Sequence, residues 1–376
     1  MNKNIEKKIL VVVGTRPNFI KVTQFKRVAK NYPHFDVKIV HTSQHYSDEM
    51  SRAFFDELNL HPDFYLDVPA NLSAVSQMAE IMKQLEHLIQ SQYYPDLIMV
   101  VGDVNSTLAG ALVANKMNIP LAHLESGLRS FDNSMPEEYN RVLTDKMAQY
   151  FFVTEEDAII NLKYELIKDE RIFFVGNTMI DTLVHYQDKI EQSAILEKLG
   201  VSAHQYILLT LHRPNNVDTE QGLKNIIHLI KSLENEFQNV FKNVVFPIHP
   251  RTENRFKQFQ LWEELNAIPS LILTPPQSYF NFQKLIKYSA AVITDSGGVQ
   301  EETTYLNIPC ITLRPSTERP VTMWKGSNLL LPFDTTIVTK YLQQLLNHKT
   351  QSLHQPPPLW DGKATERVFE VLDNLL

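Results

Sequence analysis

The sequence contains a single cysteine, Cys310, which lies in a short apolar segment. One cysteine cannot form a disulfide within the chain, and no cluster of cysteine and histidine residues has the spacing of a zinc site. A buried strand position is expected for Cys310. The chain also lacks an apolar run near the roughly 20 residues that span a membrane, and its first residues lack the apolar region of a signal peptide. These absences predict a cytoplasmic protein without contact to a membrane.

An excess of basic charge is also missing. The net charge is -7, and the 36 basic residues are scattered along the 376 residues. A nucleic-acid partner is therefore not indicated. The length and the hydrophobic fraction of 43% suit two domains of ordinary size, each with its own core. If the protein binds an anion, the cationic contacts must be local.

Short apolar segments alternate with longer helical patterns along the whole chain. Such alternation is typical of parallel βα units with helices on both faces of the sheet. The predicted strands are residues 8–13, 37–41, 97–101, 121–124, 151–153 and 172–175, then 206–211, 244–248, 271–273, 291–294, 310–313 and 329–331. The predicted fold class is α/β, with two Rossmann-like domains that face a cleft and parallel sheets flanked by helices.

The domain prediction follows from these two series of strands. It places an N-terminal Rossmann-like domain at residues 1–177 and a C-terminal one at residues 178–361. A last helix in residues 362–376 is expected to pack back on the N-terminal domain. Because ligands bind beyond the carboxyl ends of parallel strands, the polar residues directly after the strands are the candidates for a site.

The most informative of these segments is Ala-Val-Ile-Thr-Asp-Ser-Gly-Gly-Val-Gln-Glu-Glu at residues 291–302. The apolar strand stops at a polar turn that begins with Asp295 and Ser296, and Gly297 and Gly298 would let backbone N–H groups approach a ligand at the start of a helix. Glu302, one turn later, would accept hydrogen bonds from neutral hydroxyls such as those of a ribose. The segment predicts a nucleotide diphosphate site, and an ordinary strand-to-helix turn is the alternative.

The segment after the first strand adds two cations, Arg16 and Lys21. Both would project near the strand end, where they could contact phosphate. A capped turn with solvated cations is the alternative. The segment has neither the further glycines of a dinucleotide-binding fingerprint nor the pattern of a Walker A loop. NAD and ATP are therefore disfavoured.

Three acidic residues, Asp103, Glu125 and Glu137, fall in loops that are expected to converge. Carboxylates gathered in a cleft raise one another's pKa values and can divide into acid and base. Each alone could be a helix cap or a surface charge. For Glu137, in the first turn of a helix, capping is as plausible as catalysis.

Histidines and arginines follow the strands of the second half. His212 and His249 each come directly after a strand, where a histidine can act as acid, base or phosphate donor, although a structural role is the alternative. Arg314 and Arg319 would complete a cationic wall, or would belong to a surface loop held by an Arg–Glu pair. No ligand cluster indicates a metal.

Taken together, these motifs resemble the non-hydrolysing UDP-N-acetylglucosamine 2-epimerase family. The resemblance spans nearly the whole chain. Its motifs are Gly14-Thr15-Arg16-Pro17, Gly102-Asp103, Glu125-Ser126-Gly127-Leu128-Arg129, Pro136-Glu137-Glu138, Gly176-Asn177-Thr178, His212-Arg213, His249-Pro250, residues 295–302 and Thr317-Glu318-Arg319-Pro320.

The resemblance implies a fold like that of GT-B glycosyltransferases, with UDP held mainly by the C-terminal half and an active site in the interdomain cleft. It implies interconversion of UDP-N-acetylglucosamine and UDP-N-acetylmannosamine by elimination and readdition of UDP through 2-acetamidoglucal, without a metal or redox cofactor. A homodimer and a role in polysaccharide biosynthesis are implied in the same way. The implied catalytic residues are Asp103, Glu125, Glu137 and His212. The implied substrate-binding residues are Arg16, Lys21, Arg129, Arg213, His249, Ser296, Gly297, Gly298, Glu302 and Arg319.

Two segments depart from the family pattern. Pro214 follows His212-Arg213 where many members have a second arginine, and Gln44-His45 is followed by Tyr46-Ser47 rather than by arginine. Because these regions line a regulatory site in some relatives, allosteric activation by UDP-N-acetylglucosamine is not expected. Alternative functions are a 2-epimerase for UDP-2,3-diacetamido-2,3-dideoxyglucose, a GT-B glycosyltransferase, a non-catalytic nucleotide-sugar sensor and a hydrolysing epimerase.

Overall fold

The computed structural model describes residues 6–42, 54–69, 71–348 and 355–376. The chain divides into two compact units: unit 1 is Met1–His185 with Pro358–Leu376, and unit 2 is Tyr186–Pro357. The first domain of the sequence prediction, residues 1–177, ends shortly before this division. The helix Thr178–His185 belongs to unit 1, where the hydroxyl of Thr182 donates to the backbone carbonyl of Ile20.

Unit 1 contains a seven-stranded parallel sheet with the strand order β3-β2-β1-β4-β5-β6-β7. Its strands are β1 (Lys7–Val13), β2 (Phe35–His41), β3 (Phe64–Tyr65), β4 (Leu97–Val101), β5 (Leu121–Leu124), β6 (Tyr150–Val153) and β7 (Ile172–Phe174). Every residue of the central strand β4 is buried. A strand buried on both faces reads as an uninterrupted apolar run, as Leu-Ile-Met-Val-Val does here.

Helices cover both faces of this sheet. They include Arg16–Val22, Phe25–Ala29, Ala74–Ser91, Asn105–Lys116, Pro136–Met147, Glu156–Tyr164, Thr178–His185 and Ala364–Leu375. The longest begins at an N-cap, Ser73, whose hydroxyl accepts a hydrogen bond from the Ser76 amide at 3.2 Å. It buries Ile81, Leu85 and Leu88, which recur at helical spacing, and so presents one apolar face to the core.

The C-terminal segment is part of unit 1. Trp360 is buried and its indole N–H donates to the carbonyl of Thr154 at 3.0 Å. The carboxylate of Asp181 accepts from the backbone amides of Ala364 and Thr365, the first two residues of the last helix. These contacts satisfy N–H groups that a helix cannot satisfy itself, which anchors the end of the chain.

Unit 2 contains a six-stranded parallel sheet with the order β10-β9-β8-β11-β12-β13. Its strands are β8 (Tyr206–Thr210), β9 (Asn243–Pro247), β10 (Leu271–Thr274), β11 (Ala291–Thr294), β12 (Cys310–Leu313) and β13 (Asn328–Leu331). Its helices are Gln187–Glu191, Ile195–Leu199, Pro214–Val217, Glu220–Phe237, Pro250–Gln258, Trp262–Asn266, Tyr279–Lys287, Gly297–Leu306, Val321–Trp324 and Thr335–His348.

Separate apolar clusters fill the two faces of the unit 2 sheet. Along β8, Ile207 and Leu209 pack into one cluster, whereas Tyr206 and Leu208 pack into the other. Alternate residues of a strand point to opposite faces, so a strand covered on both sides needs apolar residues throughout. Cys310 is buried in the second of these clusters, as the sequence predicted.

The predicted fold class is confirmed at the level of the sheets. All twelve predicted strands are present in two parallel sheets flanked by helices, and β3 is an addition. In unit 1 the strand order reverses between β1 and β4, and in unit 2 it reverses between β8 and β11. Open parallel sheets bind ligands at such reversal points, beyond the carboxyl ends of the strands. In each unit, the segments that follow the strands at its reversal point are therefore candidates for ligand binding.

A buried histidine, His41, ends β2 beneath the segment that follows β1. Its ring packs edge-on against Phe19, at 4.9 Å between centroids, and against Phe55, at 5.6 Å. Burial lowers the pKa of His41 to about 4, although a hydrogen bond with the backbone of Gly14 works in the opposite direction. His41 is therefore neutral in the folded protein at neutral pH.

This histidine should make unit 1 sensitive to acid. Between pH 6.5 and 4 the unfolded chain binds a proton here that the folded chain does not, so the free energy of unfolding falls as the pH falls. The loss from this group reaches about 3 kcal/mol. His41→Phe, which keeps a ring among its neighbours, should remove that part of the pH dependence in urea unfolding at pH 7.5, 5.5 and 4.5. The exposed His61→Phe is the control, and an unchanged pH dependence in His41→Phe would contradict the expectation.

Candidate active site

In unit 1, a buried ion pair joins the segments that follow β1 and β5. The ammonium group of Lys21 contacts Oε2 of Glu125, and their side chains are only 7% and 3% exposed. Glu125 has a left-handed backbone conformation, φ 74°, which is strained for a residue other than glycine. Its amide is held by the carbonyl of Phe152 at 2.9 Å. Strain of this kind accumulates at functional sites, where surrounding contacts hold it in place.

Gly102, at the end of β4, lies against this ion pair. It has φ +67°, and a Cβ atom added to it would lie 3.2 Å from Glu125 Oε2 and 3.2 Å from the amide nitrogen of Asn18. Asn18 in turn accepts from the Gly14 amide at 3.2 Å and donates to the Val101 carbonyl at 3.1 Å. Its side chain therefore ties the end of β1 to the end of β4.

Asp103 follows Gly102 and is held by the helix Pro136–Met147. The guanidinium of Arg141 contacts its carboxylate, which stays 28% exposed, and the amide of Asn140 donates to its backbone carbonyl at 2.9 Å. Arg141 also contacts Glu138, one turn earlier on the same helix. Glu138 accepts from the Ser130 amide at 2.9 Å. These contacts fix Asp103 while leaving its carboxylate accessible.

The remaining predicted residues of this group have different environments. Glu137 is half-buried, and within the described part of the chain its carboxylate has no hydrogen bond or ion pair. The guanidinium of Arg16 lies over the ring of Phe54, 4.9 Å from its centroid. Gln44 and His45, which mark one departure from the family pattern, lie outside the described residues.

Arg129 is buried in ion pairs. Its guanidinium contacts Asp145 at 2.7 Å and Glu165 at 2.8 Å, and it donates to the Leu128 carbonyl at 2.7 Å. Asp145 also contacts the ring of His123. The structure therefore shows Arg129 engaged with the protein itself, in a network below the Glu125 segment, and its predicted contact with substrate stays a prediction.

In unit 2, a fully buried carboxylate organises the segment that follows β8. Asp295 accepts from the backbone amides of His212 and Arg213, at 3.1 and 2.9 Å, and from the side-chain amide of Asn216 at 3.0 Å. Its Oδ1 also lies 3.2 Å from Nδ1 of His212. The three donors around this carboxylate hold the ends of β8 and β11 together.

His212 lies beside His249, with their ring centroids 5.4 Å apart. Burial lowers the pKa of His212. Asp295 opposes this effect, whereas the positive charges of Arg213, Arg251 and Arg314 add to it. Burial likewise lowers the pKa of His249, and His212 and Arg251 contribute. Both imidazoles therefore favour the neutral form more than a free histidine does. A neutral ring that gains an anionic neighbour becomes easier to protonate, which suits a histidine next to a phosphate.

The helix Gly297–Leu306 begins directly after Ser296, which is its N-cap. A Cβ atom added to Gly297 would lie 2.7 Å from a carboxylate oxygen of Glu318, so a larger residue here would require the Glu318 side chain to shift. Glu318 pairs with Arg314 at 2.8 Å, and Arg319 lies 3.4 Å from Glu301. The Arg–Glu pair of the sequence analysis is therefore formed, but it is buried rather than in a surface loop.

Glu302, predicted to contact the ribose, is buried in the same helix. Its Oε1 accepts from the side-chain amide of Gln283 at 2.5 Å. Gln283 comes from the helix Tyr279–Lys287. The helix start, Glu302 and His212 thus belong to one unit and follow the two strands at which the order of the sheet reverses.

The described residues were also inspected for metal sites, membrane spans and cavities. Among them, no three or more histidine, cysteine, aspartate or glutamate residues form a cluster able to hold a metal ion. None of the helices in it has the length and apolar character to cross a membrane. A cavity of about 410 Å³ lies in unit 2 and is lined mainly by apolar side chains, together with Asn216 and Arg314.

Comparison with known proteins decides the family. The sequence model of a family described as UDP-N-acetylglucosamine 2-epimerase matches residues 27–373. The chain belongs to the UDP-N-acetylglucosamine 2-epimerase family. Over 369 residues it is 39% identical to UDP-N-acetylglucosamine 2-epimerase of Methanocaldococcus jannaschii. The matched region covers 97% of this chain and 98% of that protein. The resemblance inferred from the sequence motifs is confirmed, and the protein is an enzyme of the isomerase class.

Solved structures and a second relative define the range of this epimerase family. The crystal structure of the M. jannaschii UDP-GlcNAc 2-epimerase in complex with UDP-GlcNAc and UDP has a TM-score of 0.89 at 38% identity, covering 98% of this chain and 99% of that chain. A UDP-2,3-diacetamido-2,3-dideoxy-D-glucuronate 2-epimerase of Pseudomonas aeruginosa is 34% identical to this chain. The matched region covers 98% of this chain and 100% of that protein. The fold of this epimerase is GT-B-like, and a glycosyltransferase structure from Rickettsia africae shares it at 14% identity and a TM-score of 0.55, covering 98% of this chain and 97% of that one.

Several residues that shape this epimerase site were not assigned from the sequence. Asp295 comes directly after a strand, so the rule that selected Asp103 could have found it. Arg141 and Glu138 are three residues apart on one helix, a spacing that favours an ion pair. His123 lies inside β5, and no local pattern distinguishes it from any other buried strand residue.

Proposed function

We propose that this epimerase interconverts UDP-N-acetylglucosamine and UDP-N-acetylmannosamine. The observation that carries the proposal is the pair of carboxylates in unit 1, Asp103 and Glu125, each held by a cation and each placed directly after a strand at the carboxyl end of the sheet. An enzyme that changes C2 of a sugar must remove a proton from one face and return one to the other, and carboxylates suit both steps.

The proposed reaction has two stages. A carboxylate removes the proton at C2 while the C1–O bond breaks, so that the electron pair of that bond leaves with UDP and a double bond forms between C1 and C2. The 2-acetamidoglucal then takes a proton at C2 on the opposite face, and UDP adds back through its phosphate oxygen at C1. Asp103, Glu125 and Glu137 are the proposed proton-handling groups.

Unit 2 would stabilise the UDP that leaves. Negative charge grows on the diphosphate as the C1–O bond breaks, and groups that interact more strongly with that charge than with the intact substrate lower the barrier. The start of the helix Gly297–Leu306 offers the backbone N–H groups of Gly297 and Gly298, beside the side chain of Ser296. His212 would donate to the diphosphate once protonated, and Glu302 would accept from the ribose hydroxyls.

In unit 1, cations pair with two of the carboxylates that are proposed to handle the proton. The ammonium group of Lys21 places a positive charge against the buried carboxylate of Glu125. Arg141 does the same for Asp103. Arg16, Arg129, Arg213, His249 and Arg319 stay predicted substrate contacts. The proposed reaction needs no metal or redox cofactor. A homodimer is also part of the proposal, on the family resemblance alone.

A related sugar is the second candidate substrate. The relative from P. aeruginosa named as an epimerase of UDP-2,3-diacetamido-2,3-dideoxy-D-glucuronate favours it. The two candidate sugars differ in the substituent at C3 and in the group at C6, and both share the proposed chemistry at C1 and C2. Parallel assays with both nucleotide sugars, compared by kcat/KM, decide between them.

The test of the proposed function is isotope exchange. The protein is incubated with UDP-N-acetylglucosamine in D2O, and the products are followed by proton and phosphorus NMR. UDP-N-acetylmannosamine with deuterium at C2 is expected. Release of free N-acetylmannosamine would indicate a hydrolysing enzyme, and UDP release only in the presence of a sugar acceptor would indicate a glycosyltransferase. Either result, or unchanged substrate without exchange, would refute the proposal.

A further inference from the structure

His123 is a buried titratable residue for which the proposed mechanism has no direct use. It lies in β5, two residues before Glu125, and its side chain is fully buried. Both ring nitrogens have oxygen partners: Nε2 lies 2.8 Å from the carbonyl of Gly102, and Nδ1 lies 2.6 Å from Oδ1 of Asp145. A histidine that packed only for its shape would not need two polar partners aligned in this way.

The first contact reaches the segment that carries Asp103. Carbonyl and ionised carboxylate oxygens only accept hydrogen bonds, so Nε2 donates to Gly102 and Nδ1 donates to Asp145. Gly102 directly precedes Asp103 and lies against the carboxylate of Glu125. A displacement of the Gly102 carbonyl would therefore move the backbone of one proposed catalytic residue and the packing of the other.

The second contact reaches the segment that carries Glu125. Oδ2 of Asp145 accepts from the Gly127 amide at 3.0 Å, two residues after Glu125. Burial raises the pKa of Asp145, but His123 and Arg129 outweigh this effect and lower it overall, so the carboxylate is ionised. An ionised carboxylate is the better acceptor for the Gly127 amide.

The backbone of these segments depends on such contacts. Gly102, Glu125 and Gly127 all have positive φ angles, +67°, 74° and +79°. Glycine adopts such angles readily but Glu125 does not, so the conformation of Glu125 persists only where the surroundings hold it. His123 bonds the carbonyl of Gly102, and Asp145 bonds the amide of Gly127.

We propose that His123 is a positioning residue: through Gly102 on one side, and through Asp145 and Gly127 on the other, it holds the segments of Asp103 and Glu125 in one arrangement. The proposal rests on the proposed function for its effect on turnover. The charged group in contact with His123 is the carboxylate of Asp145. Asp145 pairs with Arg129, which also pairs with Glu165. The carboxylate of Glu125 belongs to the segment that directly follows β5. His123 contacts no substrate atom in this account.

Two variants separate the two hydrogen bonds. His123→Asn can still donate toward Asp145 but is too short to reach the Gly102 carbonyl, whereas His123→Gln is long enough to donate to Gly102. For His123→Asn we expect kcat to fall about 10²-fold with KM changed less than about threefold, because misplaced catalytic groups slow the reaction without weakening a binding site in unit 2. His123→Gln should recover part of kcat.

The control is His204→Asn, in unit 2, where an exposed histidine contacts a backbone carbonyl at 3.2 Å. It should leave kcat and KM unchanged. Hydrogen exchange read by mass spectrometry provides a readout independent of activity. The peptide that covers residues 102–107 should exchange faster in His123→Asn, the peptide that covers residues 125–130 should exchange faster in His123→Gln, and neither should change in His204→Asn.

The outcomes separate this proposal from the proposed function. If the parent protein turns over UDP-sugar while folded His123→Asn keeps parental kcat or parental exchange of residues 102–107, the positioning role is refuted. A fall in kcat that His123→Gln shares in full would refute it as well. If the parent shows no turnover, the proposed function fails, and the exchange experiment alone decides the positioning role: faster exchange of residues 102–107 in His123→Asn and of residues 125–130 in His123→Gln supports it, and parental exchange in either case refutes it.

Discussion

Replacing Glu125 with glutamine should lower kcat by about 10³-fold, and replacing Asp103 with asparagine should have a loss of the same order. Each change keeps the shape of the side chain and removes its ability to accept a proton. Because neither residue belongs to unit 2, UDP should still bind. The measurements are turnover of UDP-N-acetylglucosamine by NMR and UDP affinity by calorimetry.

A matched control for the first of these variants is Glu191→Gln in unit 2. Glu191 is a partly exposed carboxylate that pairs with Lys284 and Lys287 and has no place in the proposed mechanism. It should keep parental kcat. Glu125→Gln also leaves the buried ammonium of Lys21 without its charged partner, so its thermal unfolding must be recorded alongside. Near-parental turnover in folded Glu125→Gln and Asp103→Asn would remove both carboxylates from the mechanism.

Replacing Asp295 with asparagine should have the second large effect, on stability and UDP binding together. The buried carboxylate accepts from the amides of His212 and Arg213 and from the side chain of Asn216. An asparagine turns one acceptor oxygen into a donor that faces other donors. Disruption of a buried, hydrogen-bonded charge of this kind costs about 3–5 kcal/mol. Because the displaced segment includes His212, UDP affinity should fall at least about tenfold.

The matched control is Asp218→Asn, in the same unit. Asp218 is partly exposed and pairs with Arg251 and Arg255, so its replacement should cost no more than about 1 kcal/mol. Urea unfolding and calorimetry with UDP on both variants provide the comparison. If Asp295→Asn unfolds and binds UDP as the parent does, Asp295 does not organise the segment after β8.

Much of the fold could be predicted because its strands are covered on both faces. Strands such as β4 need apolar residues at every position, and this makes them visible as uninterrupted apolar runs. β3, which has only Phe64 and Tyr65, was missed, because two residues at a sheet edge carry no periodic signal. The predicted arrangement of the two domains around a cleft stays an expectation.

The candidate site was predictable to the extent that it follows from strand ends. Asp103, Glu125, His212 and Ser296 all lie within two residues of the carboxyl end of a strand, and parallel sheets bind ligands there. The partners of these residues were not predictable in the same way. The pairing of Lys21 with Glu125 joins positions 104 residues apart, and nothing in either local segment specifies the other.

The amino-acid sequence by itself therefore determined the two parallel sheets, the family and the segments that carry the polar groups, because apolar runs, glycines and strand ends are local features of the chain. Only the tertiary structure decided how each group is held: Lys21 against Glu125, Arg141 against Asp103, and Asp295 beneath His212. The physical reason is that burial and ion pairing depend on which distant segments meet when the sheets form.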